Sequence, residues 1–168
     1  VLLAIACIGC DSNSGDRGKS GSGSSGNSKK KLQIAVIPKG TSHEFWKSVH
    51  FGAEKAAREL GNVEIIWRGP VVESDTGSQI EVVKNMVTRH VDGIVLAPNQ
   101  KGGLVDAVEE SIAEGIPVII FDSGLDEGPE IVGYVATDNF KGGQMAANEL
   151  AKAMGEEGNV ILLRYLAG

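Results

Sequence analysis

The sequence predicts an α/β fold in which a parallel β-sheet is covered by helices on both faces. Between residues 32 and 122, short apolar runs rich in Val and Ile alternate with amphipathic helical stretches. This alternation, with short connections, requires parallel strands joined by right-handed crossovers. The run at residues 118–121 is continuously apolar, which is typical of a strand buried on both faces.

Four strands and three helices are predicted in this region. Pro38 ends the first strand, Gly61 ends the first helix, and Gly69-Pro70 breaks the chain after the second strand. Apolar residues recur at three- and four-residue steps in each helix, so each helix has one inward face. The predicted strands are residues 32–38, 63–67, 93–97 and 118–121, and the predicted helices are residues 43–60, 74–89 and 103–114.

A second βαβ unit is predicted after the polar loop at residues 123–129. One helix and two strands cannot bury their own faces, so this unit requires further chain to complete it. We therefore expect a first α/β domain at residues 32–122 and, at residues 123–168, a hinge crossing and the start of a second domain in a piece of a longer protein. The predicted elements of this unit are a strand at residues 131–136, a helix to residue 154 capped by Asp138 or Asn139, and a strand at residues 160–166.

The first 31 residues differ from the rest in composition. Residues 1–8 are apolar but too short to span a bilayer, and Cys10 follows a small residue, as in bacterial lipoprotein signals. Cys7 stands where such signals usually carry Leu. Residues 11–31 are dominated by Ser, Gly and Asn, which predicts a flexible tether. We expect residues 1–10 to be a signal-peptide remnant and Cys10 to carry a lipid outside the cytoplasm; the alternative is an apolar tail with incidental cysteines.

Composition and motifs argue against several functions. The net charge is -6, from 16 Lys and Arg against 22 Asp and Glu, and no basic block suits a nucleic-acid partner. Neither a glycine-rich phosphate loop nor a Gly-x-Ser-x-Gly nucleophile elbow follows a predicted strand. His43 and His50 lie two helical turns apart without a third ligand, so a metal site is not expected. Neither an enzymatic activity nor a cofactor is predicted.

Polar and aromatic side chains collect after the predicted strands, at the sheet edge where open α/β sheets bind ligands. Aromatic faces pack on the C–H face of a sugar ring, and carboxylates and amides bind its vicinal hydroxyls. These residue types therefore indicate a sugar site. The candidate ligand residues are His43, Phe45, Trp46, Asn99, Asp122 and Ser123.

Several of these candidates also have a structural interpretation. Phe45 lies on the predicted inward face of the first helix, so it is either a core or a ligand residue. Trp46, its neighbour, must point elsewhere, which favours ligand contact. His43 is either a helix-start residue or a ligand residue. For Asn99, a ligand contact and a structural role are equally compatible with the sequence. Asp122 can cap a turn, but its position at the end of a strand favours function.

An ordered set of motifs runs through residues 32–168. They are Ile34-Ala35-Val36-Ile37 with Phe45-Trp46, Gly52-Ala53 and Glu59-Leu60-Gly61, then Asp92-Gly93-Ile94-Val95-Leu96-Ala97-Pro98, then Gly115-Ile116-Pro117-Val118 with Asp122, and Ala136-Thr137-Asp138-Asn139 with Gly142-Gly143. Together they resemble the ribose-type periplasmic sugar-binding proteins of ABC transporters, which share their fold with the effector domain of LacI repressors.

This resemblance implies a periplasmic-binding-protein-like fold, with a ligand held between two similar α/β domains that close like a hinge. It implies that Phe45 and Trp46 sandwich the sugar and that His43 and Asp122 bind its hydroxyls. The first crossing between domains is then expected near Ser123.

Three positions depart from the pattern of ribose binders. Ser123 stands where they carry Arg, and both His43 and Ala97 stand where they carry Asn. The resemblance therefore does not imply that the ligand is ribose.

We expect the substrate-binding component of an ABC sugar transporter, which captures a monosaccharide or related polyol by domain closure and delivers it to a membrane permease. A lipid anchor is its only expected attachment to the membrane. One alternative is the ligand-sensing domain of a LacI-type regulator, against which the Ser/Gly tether argues. A receptor-coupled sensor is a second alternative, and an enzyme on a similar sheet is a third, disfavoured by the missing motifs.

Overall fold

The computed structural model describes residues 30–163. The predicted signal remnant with Cys7 and Cys10 lies outside the described residues, as does nearly all of the predicted tether. Within residues 30–163, no helix combines the length and apolarity needed to cross a membrane.

In the described part of the chain, five parallel strands form one sheet in the order β2-β1-β3-β4-β5. They are β1 (Leu32–Ile37), β2 (Val63–Trp67), β3 (Gly93–Leu96), β4 (Val118–Phe121) and β5 (Gly133–Val135). Strand β1 pairs with both β2 and β3, so that Val36 lies between Trp67 and Val95. The predicted parallel α/β sheet is confirmed. The strand order reverses at β1, which opens a crevice at the carboxyl ends of β1 and β3.

Residues 30–163 form four helices: α1 (Glu44–Leu60), α2 (Thr76–Thr88), α3 (Val105–Ala113) and α4 (Asn139–Ala153). His43, Asp75 and Asp138 cap α1, α2 and α4 with side chains that accept a hydrogen bond from a backbone N–H of the first turn. These caps satisfy donors that have no partner within the helix. Gly61 ends α1 with a φ of 75°, which a residue without Cβ adopts readily.

The hydrophobic core lies between the sheet and the layer formed by α2 and α3. Alternate residues of the strands point into it, as the period of two requires. Its strand members are Ala35, Ile37, Ile94, Leu96, Val118 and Ile120, and its other members include Val83, Met86 and Val87 of α2, Ala107 and Val108 of α3, and Leu104 just before α3. On the other face, α1 packs against β2, and an apolar groove of about 450 Å³ remains beside it.

Strand β5 belongs to the first sheet, whereas the sequence assigned it to the second unit. Its residues pair in parallel with β4, with Gly133 opposite Ile119 and Val135 opposite Phe121. The edge of β4 that faces away from β3 is available, and the loop at residues 122–132 is long enough to return the chain to it. The sheet therefore continues past the boundary predicted after residue 122.

The strand predicted at residues 160–166 is not formed over residues 160–163, the part of it that the structure describes. Helix α4, which precedes it, has no buried residue. A strand forms only where a neighbour accepts and donates its backbone hydrogen bonds, and the described residues place no such neighbour there.

Asp92 ties the beginning of β1 to the beginning of β3. Its Oδ2 accepts a hydrogen bond from the backbone N of Gln33 at 2.9 Å, and its Oδ1 lies 2.6 Å from Nζ of Lys30. The hydrogen bond from Lys30, followed by the one from Gln33, lowers the pKa of Asp92.

Substitution of Asp92 by Asn is expected to destabilise the protein at pH 7, by an amount that shrinks as the pH falls. A carboxyl whose pKa is lowered by folding contributes stability above its unfolded pKa, about 3.9 for Asp, and loses that contribution as the pH falls through the folded pKa. Urea unfolding of both proteins between pH 7 and pH 2 measures the difference. A difference that is constant over this range would contradict the assignment.

Candidate functional site

The carboxyl ends of the parallel strands β1 to β4 lie at one edge of the sheet, and a pocket of about 290 Å³ opens there. It is lined by Lys39, His43, Phe45, Trp46, Glu73 and Asp122. Four of these residues are predicted ligand residues, whereas Lys39 and Glu73 are not. The chain after β1 contributes the cation and the aromatic rings, and the connections after β2 and β4 each contribute a carboxylate.

Trp46 is the buried aromatic residue of this pocket and Phe45 is the exposed one. Trp46 is 2% exposed and Phe45 is 48% exposed. The Trp46 ring meets Phe45 and Phe121 edge-on, with ring centroids 4.9 and 6.2 Å apart, and its Nε1 donates to Oε1 of Glu73 at 2.7 Å. The prediction that Phe45 faces inward while Trp46 turns away is therefore wrong. The first turn of α1 packs against β4 and the loop that carries Glu73. The apolar periodicity of α1 contains no information about these neighbours, which are distant in the sequence.

Lys39 and Asp122 form an ion pair within the pocket. Nζ of Lys39 lies 2.8 Å from Oδ2 of Asp122, and the two side chains are 21% and 31% exposed. Partial burial reduces the screening that makes exposed pairs weak. An ammonium donor beside a carboxylate acceptor suits a hydroxyl group, which can accept from the first and donate to the second.

The backbone of Asp122 is held in a sparsely populated conformation. Its φ of 63° is left-handed, and the N of Ser123 donates to the carbonyl of Phe121 at 2.7 Å, which makes a γ-turn of the rarer, positive-φ type. The N of Asp122 donates to the carbonyl of Val135 at 2.9 Å, and the hydroxyl of Tyr134 donates to the carbonyl of Asp122 at 3.2 Å. Strand β5 thus supports the strained turn.

The side chain of Asp122 does not close this turn. Its carboxylate meets Lys39 and the hydroxyl of Ser123, which donates to Oδ2 at 3.3 Å, and accepts no backbone N–H among the described residues. The alternative that Asp122 serves as a turn cap therefore has no support in the hydrogen bonding. Ser123 itself does not line the pocket.

Asn99 and His43 have partly structural surroundings. The backbone N of Asn99 donates to Oε1 of Gln79 at 2.9 Å, while its side-chain Nδ2 and Oδ1 are buried without a partner in residues 30–163. A buried amide without hydrogen bonds costs free energy, but Asn99 is not among the residues that line the pocket. Nδ1 of His43 accepts from the N of Phe45 at 3.2 Å, which confirms its helix-start role and leaves its other nitrogen for the pocket.

Two features of the described residues concern other ligands. The apolar groove beside α1 is larger than the pocket, but its lining of aliphatic side chains and Phe121 offers almost no hydrogen bonds. In residues 30–163, no group of three or more His, Cys, Asp and Glu is placed to hold a metal ion.

Residues 34–168 match the family model of the periplasmic binding protein domain. The chain belongs to the periplasmic binding protein family. Among curated relatives, the D-ribose/D-allose-binding protein of Pseudomonas aeruginosa is 32% identical over 78% of this chain and 44% of its own length. The ribose import binding protein of Bacillus subtilis is 31% identical over 86% of this chain and 46% of its own length. The chain thus spans less than half the length of these relatives.

Solved structures of periplasmic binding proteins share the fold. An ABC transporter solute-binding protein of Agrobacterium vitis with bound D-fucose is 38% identical, with a TM-score of 0.69 over 73% of this chain and 43% of that one. A periplasmic solute-binding protein of Actinobacillus succinogenes with bound D-allose is 34% identical, with a TM-score of 0.72 over 77% and 46%. The resemblance and the fold class predicted from the sequence are confirmed. The relatives are binding proteins, in agreement with the argument against an enzyme.

Glu73 is expected to control how accessible Trp46 is to solvent. In a Trp67→Phe background Trp46 is the only tryptophan, and acrylamide quenching of its fluorescence reports its exposure. Glu73→Leu removes the acceptor of the indole N–H and should increase quenching, because a buried donor without a partner moves toward water. Glu73→Gln keeps an acceptor oxygen and serves as the control, with quenching close to that of the parent. Equal quenching in the Leu and Gln variants would show that the hydrogen bond does not hold the ring.

Proposed function

We propose that the protein is the substrate-binding component of an ABC-type sugar importer and that its ligand is a monosaccharide or a related polyol. The observation that carries this proposal is the pocket in which the Lys39–Asp122 ion pair lies beside Phe45 and Trp46. Relatives of the same family are ribose- and allose-binding proteins, and two solved relatives hold D-fucose and D-allose.

The pocket suits the two kinds of surface that a sugar presents. The exposed ring of Phe45 offers an apolar face to the C–H groups of the sugar. The Lys39–Asp122 pair offers a donor and an acceptor to neighbouring hydroxyls, and His43 adds a further polar group. Hydrogen bonds to charged groups are stronger than those between neutral groups, so the ion pair supplies much of the affinity.

The charges of the pocket favour a neutral ligand. Lys39 is opposed by the carboxylates of Asp122 and Glu73, so a sugar acid would meet more negative than positive charge in this half of the site. A neutral sugar or polyol has no net charge for these carboxylates to repel.

The rest of the site belongs to a second α/β domain in this proposal. Because the sheet continues to Val135, we place the first crossing after β5, close to Asp138, and not at Ser123. Contacts from both domains to one ligand then stabilise the closed form. The closed protein would present the sugar to a membrane permease. The family is one of periplasmic binding proteins, so the protein acts outside the cytoplasm, and a lipid on Cys10 would hold it at the membrane.

A second candidate is the ligand-sensing domain of a LacI-type regulator. It is favoured by one solved relative, described as an ABC transporter and LacI family transcriptional regulator from Brachyspira murdochii, which is 29% identical with a TM-score of 0.68. The Ser/Gly-rich residues 11–31, which do not predict a helix-turn-helix before the domain, make the transport role the stronger proposal. A receptor-coupled sensor would use the same sugar site.

Calorimetric titration of the complete gene product with D-ribose, D-allose, D-fucose, xylitol and D-galacturonate tests the proposed ligand class. At least one neutral compound is expected to bind, and the anionic D-galacturonate is not. Failure of every neutral compound to bind would contradict the sugar-binding role, and selective binding of D-galacturonate would contradict the charge argument.

Asp122→Asn is expected to weaken binding of the best sugar by about 10- to 100-fold, because hydrogen bonds to a charged group contribute about 1.5–3 kcal/mol. Asn tolerates a left-handed backbone, so the fold should persist. Asp126→Asn, at an exposed position in the same loop, is the matched control and should bind like the parent. Unchanged affinity in Asp122→Asn would remove this carboxylate from the ligand site.

Cys10→Ser is expected to release the protein from the membrane fraction of its cells, because the thiol is the proposed site of lipid attachment. Cell fractionation and incorporation of a labelled fatty acid measure the effect, and Cys7→Ser is the control that should stay with the membrane. A Cys10→Ser protein that still partitions with membranes would contradict the anchor.

A further inference from the structure

Gln79, in the first turn of α2, is a fully buried polar residue beneath the ligand edge of the sheet. It is 0% exposed. Its Nε2 donates to the carbonyl of Pro38 at 3.0 Å and to the carbonyl of Ala97 at 2.8 Å, and its Oε1 accepts from the backbone N of Asn99 at 2.9 Å. Both amide hydrogens and the amide oxygen are therefore engaged, which a buried amide requires.

The side-chain amide of Gln79 lies where the backbone hydrogen bonds between β1 and β3 end. The N of Ala97 donates to the carbonyl of Ile37 at 2.9 Å, which is the last backbone hydrogen bond between the two segments. The next bond of a parallel ladder would run from the N of Lys39 to the carbonyl of Ala97, and the described residues do not form it. The side chain of Gln79 bridges the next two carbonyls, those of Pro38 and Ala97, in place of a further backbone hydrogen bond.

The residues joined in this way begin the loops after β1 and β3, and the first of these loops lines the pocket. Lys39 follows Pro38 directly, and Asn99 is itself held by Gln79 through its backbone N. Gln79 does not line the pocket. One side chain outside the pocket thus sets the spacing between a loop that carries the cation of the ion pair and a loop that carries a buried amide.

We infer that Gln79 is a positioning residue of the sugar site, which holds the loops after β1 and β3 at the separation that ligand binding needs. This inference rests on the proposed function. Binding is strong when polar groups are already fixed in place, because no ordering is then required on association. An apolar side chain of the same length would leave two buried carbonyls and one N–H without partners, and the loops would shift to satisfy them.

The test compares Gln79→Met with Val83→Ala in the complete gene product. Val83 is also 0% exposed and lies one turn along the same face of α2, but it packs in the apolar core and makes no contact with the loops through hydrogen bonds. Val83→Ala therefore destabilises the same helix without disturbing the bridge. Melting temperatures and sugar dissociation constants are measured for both variants, the latter well below either melting temperature.

Gln79→Met is expected to raise the dissociation constant for the sugar by about tenfold or more. Val83→Ala should change the dissociation constant by less than about twofold, even if it lowers the melting temperature by as much as Gln79→Met does. Equal changes in dissociation constant would overturn the inference, because the effect would then follow stability alone. If Gln79→Met does not fold, Gln79→Asn gives the same comparison, since its shorter amide cannot reach both carbonyls and Asn99 together.

Hydrogen exchange of the Asn99 amide gives a readout that needs no ligand. The amide should exchange faster in Gln79→Met than in the parent and should be unchanged in Val83→Ala, because only the first variant removes its acceptor. Unchanged exchange in Gln79→Met would overturn the positioning role. This readout decides the role even if the parent binds no sugar, in which case the proposed function alone fails.

Discussion

The pocket depends on the parallel pairing of β1 with β3 and of β3 with β4. The register sets Val36 beside Val95 and Leu96 beside Ile120, so the three strands reach the same edge of the sheet together. Parallel strands need a crossover between them, and each strand therefore delivers its own connection to that edge. The contact between Lys39 and Asp122 exists only because this pairing brings two distant connections together.

Most of the fold could be predicted because its elements carry local signals. Buried parallel strands are continuous apolar runs, and the helices show an apolar face and a capping residue such as Asp75 or Asp138. Strand β5 was predicted as a strand but placed in the wrong sheet, since three residues of strand do not encode which edge they join. That choice depends on the free edge of β4, which is a property of the assembled sheet.

The candidate site was predicted only in part, for a related reason. Asp122 was found because it directly follows a buried strand, and Lys39 carries the same signal but was not singled out. Glu73 has no local signal, because its role arises from a hydrogen bond to Trp46, which is distant in the sequence. Gln79 does have one: it is a polar residue on the same face of α2 as Val83, and a polar residue in an apolar stripe indicates a buried hydrogen-bond network.

The left-handed backbone of Asp122 limits how this pocket can be re-engineered or can diverge. Few residues adopt a positive φ without a steric penalty, chiefly Gly, Asn and Asp, so the backbone restricts the choice at this position before any ligand is considered. Of these three, only Asp also supplies a charge for Lys39. A library aimed at a new ligand should therefore keep residue 122, and with it Lys39, nearly fixed and vary the exposed neighbouring position, Phe45.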